Sequence, residues 1–215
     1  MRYGLAILDL DGTLADSLPW FRVHVNGVAD KFGFRRIDEA DFESLRRAGT
    51  REILRRLEVP HWKLPWIARH MRRLKAAHLD AIPLFPGAGT MLRALADGGL
   101  RLALVSSDSE QNARRQLGEA NAALFSDVAC GAGLLGKAAK LRRVVRRAGV
   151  APTRVISIGD EVRDIEAARA AGIPCAAVTW GYAAPETLRA LQPDLVLERM
   201  ENIAPALLAR TARAS

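Results

Sequence analysis

From about residue 84 onward, the sequence alternates short apolar runs with longer stretches of helical periodicity. The apolar runs are typical of strands that are buried on both faces of a sheet. Glycine follows the helical stretches, as Gly118 does after 109–117 and Gly149 after 137–148, and glycine takes the left-handed cap conformation without strain. This alternation predicts an α/β fold with a parallel sheet between two helical layers. The predicted strands are 3–10, 100–105, 125–130, 154–158 and 174–179, with a weaker one at 194–197.

The segment between the first strand and residue 84 interrupts this alternation, because its patterns are helical only. The helical stretches are 18–32, 50–57 and 62–78. A turn rich in proline and glycine at 82–87 marks the return to the strand and helix alternation. We therefore expect an all-helical domain at residues 16–83, inserted into a core that is formed by residues 1–15 and 84–215.

The composition is that of a folded soluble protein, with 49% hydrophobic and 26% charged residues among 215. No uncharged apolar run reaches the roughly 18 residues of a membrane span, and the chain begins with a strand pattern instead of a signal peptide. We expect a cytoplasmic protein without a membrane partner. Cys130 and Cys175 lie far apart, with no second cysteine or histidine at metal-ligand spacing, so neither a disulfide framework nor a zinc site is indicated.

The chain is strongly basic, with a formal charge of +8 and a pI near 10.3. Such a charge suggests anionic partners, either nucleic acid or phosphorylated metabolites. The basic residues are dispersed as pairs such as Arg46-Arg47 and Arg146-Arg147, which are typical of solvated helix faces. We therefore expect a small-molecule phosphate ester as the partner and no nucleic acid. The sequence leaves the oligomeric state open.

Two carboxylates arrive together at the end of the first predicted strand. The apolar run 6–8 leads directly into Asp9, Leu10 and Asp11, followed by Gly12 and Thr13. Ligands bind at the carboxyl edge of open parallel sheets, so this pair is a candidate site. A turn with a helix cap remains an alternative for this string taken alone, because Asp, Gly and Thr all favour turns.

A second acidic pair, Asp160 and Asp164, follows the strand at 154–158. Helix capping is the alternative explanation for this pair, since carboxylates are favoured at helix N-termini. Two strands that end in carboxylate pairs, with Ser106 and Lys137 near other strand ends, are harder to explain by capping. Converging carboxylates repel one another unless a cation lies among them, and oxygen ligands with vacant positions suit Mg²⁺.

These residues resemble the motifs of the haloacid dehalogenase superfamily, specifically its phosphatases with a helical cap. The similarity covers nearly the whole chain and implies a Rossmann-like core with an inserted cap domain. The segments 84–87 and 164–173 are similar to the phosphoglycolate-phosphatase-like subgroup. The four motifs, in family order, are 9–13, 105–107, 136–137 and 159–164.

The resemblance implies specific roles for the four carboxylates. Asp9 would be the nucleophile that forms an aspartyl-phosphate. Asp11 would protonate the departing alcohol and then activate water. Mg²⁺ would be held by Asp9, by the backbone carbonyl of Asp11 and by Asp160, with Asp164 in or next to the coordination shell. The Asp11 side chain as a second metal ligand is the alternative.

The other two motifs imply binding of the phosphoryl group. Ser106 and nearby backbone N–H groups would bind its oxygens, and Leu10 and Ser107 are also assigned to substrate binding. Taken alone, Ser106 would more often be a capping serine. Lys137 would balance charge between the nucleophile and the phosphate. Lys140, one helical turn further on, is the competing site lysine, and we expect it to face solvent.

The helical insertion would be the cap that closes over the site and contacts the rest of the substrate. Within it, Thr50 is expected to cap a helix and Arg51 to reach an anionic group of the substrate. An arginine on a solvated helix face is the equal alternative. Both residues are assigned to substrate binding.

Three other functions are open to a chain with these motifs. A dehalogenase needs neither a metal nor an acid at position 11, so Asp11 argues against it. A phosphomutase would use the same four motifs with a different cap, and it remains the main alternative. A nucleic-acid-binding module on an inactive hydrolase fold would lack some motif carboxylates, and all of them are present. The substrate, including phosphoglycolate, is implied only at the level of the family.

Overall fold

The computed structural model describes residues 3–131 and 136–209. Its centre is a six-stranded parallel sheet in the order β3-β2-β1-β4-β5-β6. The first strand thus lies in the middle, between β2 and β4. The strands are β1 (Leu5–Leu8), β2 (Arg101–Val105), β3 (Phe125–Ala129), β4 (Val155–Gly159), β5 (Cys175–Val178) and β6 (Leu195–Leu197). The predicted parallel α/β sheet is confirmed.

Helices cover both faces of the sheet, because β1 buries alternate side chains on opposite sides. Ala6 and Leu8 belong to one apolar cluster, whereas Leu5 and Ile7 belong to another. The first cluster is covered by α5 (Ala88–Asp97), α6 (Glu110–Leu117), α7 (Glu119–Ala122) and α11 (Ile203–Leu208). The second is covered by α8 (Lys137–Ala148), α9 (Val162–Ala171) and α10 (Pro185–Ala190). The result is the predicted three-layer core.

Every regular element described between β1 and α5 is helical. The helices are α1 (Leu18–Phe32), α2 (Glu39–Arg46), α3 (Thr50–Arg56) and α4 (Leu64–Ala76), with short 3₁₀ turns at His61–Lys63 and Leu79–Ala81. We call residues 16–83 the helical insertion. It has an apolar cluster of its own, which includes Val25, Phe42 and Leu54. Helix α2 was not predicted, because it is short and its burial rests mainly on Phe42 and Leu45.

The two chain crossings between the sheet and the helical insertion lie side by side. Ala15 pairs with Leu84 in an antiparallel bridge, and the backbone N–H of Asp16 donates to the carbonyl of Pro83 over 2.9 Å. These contacts fall where the sequence predicts the division into two domains, which itself stays a prediction. Among the described residues, no helix is both long and apolar enough to span a bilayer. Both cysteines are free thiols.

Candidate active site

Asp9 follows β1 at the carboxyl edge of the sheet and is 3% exposed. Its Oδ1 accepts the backbone N–H of Leu10 over 2.9 Å, and its Oδ2 lies 2.7 Å from the Nζ of Lys137. Burial raises the pKa of Asp9, and the ammonium of Lys137 opposes that rise. The structure therefore presents a buried carboxylate whose negative charge is favoured mainly by Lys137 and, to a smaller extent, by Arg163.

The chain after Asp9 makes a tight turn that requires glycine at position 12. Gly12 has a φ of +77°, and a Cβ there would lie 2.1 Å from Oδ2 of Asp160 and 2.6 Å from the ring of Tyr182. In the same turn, the Thr13 hydroxyl donates to Oδ1 of Asp160 over 2.7 Å. The turn therefore holds the first acidic motif, residues 9–13, in contact with Asp160 of the second.

Three buried carboxylates converge at this edge. Asp9, Asp160 and Asp164 each offer an oxygen, and these oxygens lie within 4.8 Å of one another. Burial and the surrounding negative charges raise the pKa of Asp160 well above its ordinary value. The oxygen donors are of the kind that a hard divalent cation prefers, and such a cation would offset their repulsion. We call these three residues the acidic cluster.

Asp164 also caps helix α9, which was the alternative explanation for the second acidic pair. Its Oδ2 accepts the backbone N–H groups of Asp160 and Glu161, over 3.0 and 2.9 Å, at the start of α9. Its Oδ1 accepts from Lys137 over 2.6 Å. Burial acts to raise the pKa of Asp164, but the charges of Lys137 and Arg163 outweigh it and the pKa is lowered. Asp164 thus stays ionised and holds Lys137 beside Asp9.

The sequence interpretation of the two candidate lysines needs one correction. Lys137, the first residue of α8, bridges Asp9 and Asp164, and these carboxylates raise its pKa although burial opposes the rise. The expectation that Lys140 faces solvent is wrong. Its Nζ is buried and donates to the carbonyls of Ser106 and Ala129 over 2.7 and 3.0 Å, and burial lowers its pKa to about 8. Helical spacing explains this, since Lys140 lies one turn after Lys137 on the inward face.

Ser106 lies directly after β2 and is buried. Its hydroxyl accepts the backbone N–H of Asp108 over 3.1 Å, so it stabilises a turn at the same edge as Asp9. Ser107 lines the cavity described below, and its carbonyl accepts from Arg72 over 3.4 Å. Leu10 is fully buried and contributes its backbone N–H to Asp9.

Sequence reasoning missed Lys75 and Asp108. Lys75 belongs to α4 of the helical insertion and is 4% exposed, with its Nζ 2.5 Å from Oδ1 of Asp11 and 2.9 Å from Oδ2 of Asp108. Burial lowers the pKa of Lys75, but the two carboxylates outweigh it and the pKa is raised. A signal was present, because Lys75 continues the helical spacing of the apolar residues Ala68 and Met71. The helical insertion thus places a buried cation directly on the first motif.

Two residues of the helical insertion, Thr50 and Arg51, were predicted to bind substrate, and the structure places them differently. Helix α3 begins at Thr50 with Gly49 in the capping position and no side-chain cap, so the expectation that Thr50 caps the helix is wrong. Thr50 nevertheless lines the cavity. Arg51 is exposed and does not line it. This geometry favours the solvated alternative for Arg51.

A cavity of about 330 Å³ extends from the carboxyl edge into the helical insertion. The polar side chains that line it at the carboxyl edge are those of Asp11, Lys75, Ser107, Asp108, Glu161, Arg163 and Tyr182. The remaining walls come mainly from apolar side chains of α1 to α4. Such a volume lies within the roughly 300–1,000 Å³ of small-molecule sites. A ligand in this cavity would contact both Asp11 and the helical insertion.

Comparison with known proteins agrees with the fold and the motifs. The model of the haloacid dehalogenase-like hydrolase family matches residues 6–178. A phosphoglycolate phosphatase of Synechococcus elongatus is 38% identical over 202 residues, covering 94% of this chain and 95% of the relative. A phosphoglycolate phosphatase of Xanthomonas campestris pv. campestris is 33% identical over 193 residues, with 85% and 86% covered.

Solved structures show the same fold at lower identity. A haloacid dehalogenase-like family hydrolase from Streptococcus pneumoniae superposes with a TM-score of 0.77 at 20% identity, covering 95% of this chain and 98% of that one. CbbY from Rhodobacter sphaeroides, in complex with phosphate, has a TM-score of 0.70 at 22% identity, with 92% and 95% covered. The chain belongs to the haloacid dehalogenase-like hydrolase family.

Proposed function

We propose that this hydrolase is a Mg²⁺-dependent phosphatase that transfers the phosphoryl group of a small phosphate monoester to Asp9 and then to water. The observation that carries the proposal is the placement of Asp9. It is buried at a strand end, oriented by the N–H of Leu10 and paired with Lys137 inside the acidic cluster. A carboxylate held in this way can act as a nucleophile without a separate base.

In the first step, an Asp9 carboxylate oxygen attacks phosphorus and the bond between phosphorus and the alcohol oxygen breaks. Asp11 donates a proton to the departing alcohol. In the second step, Asp11 takes a proton from water as the water oxygen attacks phosphorus. The bond between phosphorus and the Asp9 oxygen breaks, which releases inorganic phosphate and regenerates the Asp9 carboxylate. Asp11 suits both roles because it lines the cavity where the alcohol and the water would lie.

Lys137 and the residues that follow β2 would stabilise the phosphoryl group during its transfer. Lys137 lies between Asp9 and Asp164, so its ammonium can balance charge as the phosphoryl group arrives. At the end of β2, the hydroxyl of Ser106 and the backbone N–H of Ser107 are available for phosphoryl oxygens, whereas the N–H of Ser106 donates to the carbonyl of Ala129 over 3.3 Å.

The acidic cluster supports the assignment of Mg²⁺ as the cofactor. Asp9 and Asp160 would hold the ion together with the backbone carbonyl of Asp11, and Asp164 would lie in or next to the coordination shell. Bound there, Mg²⁺ reduces the repulsion between the phosphate and the nucleophile. Thr13 and the backbone N–H of Tyr182 orient Asp160 for this role.

The helical insertion would act as a cap over this site, with Lys75 as its contact to the first motif. The curated relatives named above are phosphoglycolate phosphatases, which supports a phosphatase over a phosphomutase and makes phosphoglycolate the first substrate to test.

The test is phosphate release by the purified chain from a panel of phosphate monoesters that includes phosphoglycolate, with Mg²⁺ or with EDTA. We expect turnover that requires the metal. Equal rates with Mg²⁺ and with EDTA, or transfer of phosphate between positions of a sugar phosphate without net release, would contradict the proposal.

A further inference from the structure

The cavity has two chemically different ends. Its end at the carboxyl edge is charged, because Lys75 pairs with both Asp11 and Asp108. Glu161 and Arg163 line the cavity as well. Away from this edge, the walls are mainly apolar side chains of α1 to α4. A molecule that fills the cavity would therefore need a polar group at one end and an apolar body at the other.

Helix α4 shows the change of character along one face. Its residues at a spacing of three or four line the cavity, and they run from apolar to basic. With a rise of 1.5 Å per residue, this face extends about 16 Å from the ion pair of Lys75 to the far end of the helix. The residues, from the far end to the carboxyl edge, are Leu64, Ile67, Ala68, Met71, Arg72 and Lys75.

The apolar cluster of the helical insertion surrounds the cavity instead of filling it. Phe21, Ile53, Leu64 and Ile67 pack against this cluster, yet all four line the cavity and remain only partly buried. Protein cores are normally packed as densely as organic crystals, with few voids larger than a water molecule. The open space is therefore available to an apolar group of a ligand.

We propose that the preferred substrates are phosphate monoesters of apolar alcohols, whose alkyl or aryl body extends from Asp11 into this cavity. The inference rests on the proposed function, because Asp11, which would protonate the departing alcohol, lines the charged end of the cavity. A polar group placed deep among these side chains would lose its water without gaining hydrogen bonds, whereas an apolar one gains by burial. Phosphoglycolate would fill only the polar end.

Turnover of straight-chain alkyl phosphates, from ethyl to octyl, tests this inference at concentrations below those at which they form micelles. We expect kcat/KM to rise with chain length, by up to about fourfold per methylene group, until the cavity is full. A flat or falling series, with ethyl phosphate still hydrolysed, would overturn the inference and leave the proposed function standing.

Filling the cavity should remove this dependence on chain length. Ala68 lines the cavity on α4, whereas Ala40 is exposed on α2 and does not line it. In Ala68→Phe, we expect the ratio of kcat/KM for hexyl phosphate to kcat/KM for ethyl phosphate to fall at least about tenfold. Ala40→Phe should keep the wild-type series. Equal losses on both esters in a folded Ala68→Phe variant would overturn the inference.

Binding of alkylphosphonates separates the inference from the proposed function, because their carbon–phosphorus bond resists hydrolysis. Calorimetry with the wild-type chain and Mg²⁺ should show tighter binding of octylphosphonate than of ethylphosphonate. This result would support the inference even if no ester were hydrolysed, which would refute only the proposed function. Equal affinity for the two phosphonates would overturn the inference, including in the case that Ala68→Phe fails to fold.

Discussion

The carboxyl edge of the sheet and the helical insertion differ in how their buried side chains are packed. At the edge, Asp9, Asp160 and Asp164 are buried, and each has a backbone N–H, a hydroxyl or Lys137 as its partner. In the helical insertion, apolar side chains surround an open cavity. The comparison supports our proposal that a preorganised edge supplies the chemistry and that an incompletely filled bundle selects the substrate.

The largest expected effect is at the edge. Asp9→Asn should reduce kcat on the order of 10³-fold or more, because an amide cannot serve as the nucleophile although it keeps the shape of the carboxylate. Steady-state phosphate release measures this loss, and circular dichroism checks the fold. Asp97→Asn, on an exposed part of α5, is the matched control and should keep wild-type activity. Activity of Asp9→Asn within tenfold of wild type would contradict the covalent mechanism.

Lys75 joins the two regions, and its removal should affect both. Lys75→Met leaves Asp11 and Asp108 without their cation, which should cost about 3–5 kcal/mol of unfolding free energy at neutral pH. Urea denaturation measures this change. The double variant Lys75→Met/Asp108→Asn should recover part of the loss, because one of the two unpaired charges is then absent. If Asp108→Asn instead lowered the unfolding free energy further in the double variant, the lost ion pair would not be the source of the effect of Lys75→Met.

The acidic cluster should set the requirement for metal. Asp160→Asn replaces one charged oxygen ligand, so the Mg²⁺ concentration for half-maximal rate should rise about 10- to 100-fold. A titration of rate against Mg²⁺ measures the shift, with Asp97→Asn as the control. An unchanged titration curve would exclude Asp160 as a ligand.

The buried Lys140 should make the stability of the fold depend on pH. Its pKa is about 8 in the folded chain against an ordinary 10.5, so the unfolded state binds more protons between these values. Stability should therefore rise with pH across this window in the wild type relative to Lys140→Met. Urea denaturation at pH 7.5 and at pH 10 measures the difference, which should grow in favour of the wild type at the higher pH. A difference that does not change with pH would contradict the burial of a charged Lys140.

The smallest expected effect is at Arg51, which is exposed and outside the cavity lining. Arg51→Ala should leave kcat/KM for phosphoglycolate and for a neutral aryl phosphate within about twofold of wild type. A selective loss for phosphoglycolate, of the size of a charge-assisted hydrogen bond of about 1.5–3 kcal/mol, would restore Arg51 to the binding site.

The same comparison explains what the sequence could predict. The strands and the acidic cluster were predictable because parallel strands end at one edge, so Asp9 and Asp160 had to lie close together whatever the details of packing. The positions of Lys75 and Lys140 depended on which helix face turns inward. Both lysines continue an inward-facing helical spacing, but a charged residue is expected at the surface. The cavity could not be predicted, because apolar spacing is the same around a filled and an open bundle.

Trapping the intermediate on Asp9 tests the central claim most directly. The wild-type chain, mixed with Mg²⁺ and a substrate found on the monoester panel, would be quenched in acid during turnover, digested and examined by mass spectrometry. The account predicts a phosphoryl group on Asp9 in the peptide that contains residues 9–13, and none in Asp9→Asn. Phosphate on another residue, or no phosphopeptide from a chain whose turnover is known to be limited by hydrolysis of the intermediate, would contradict it.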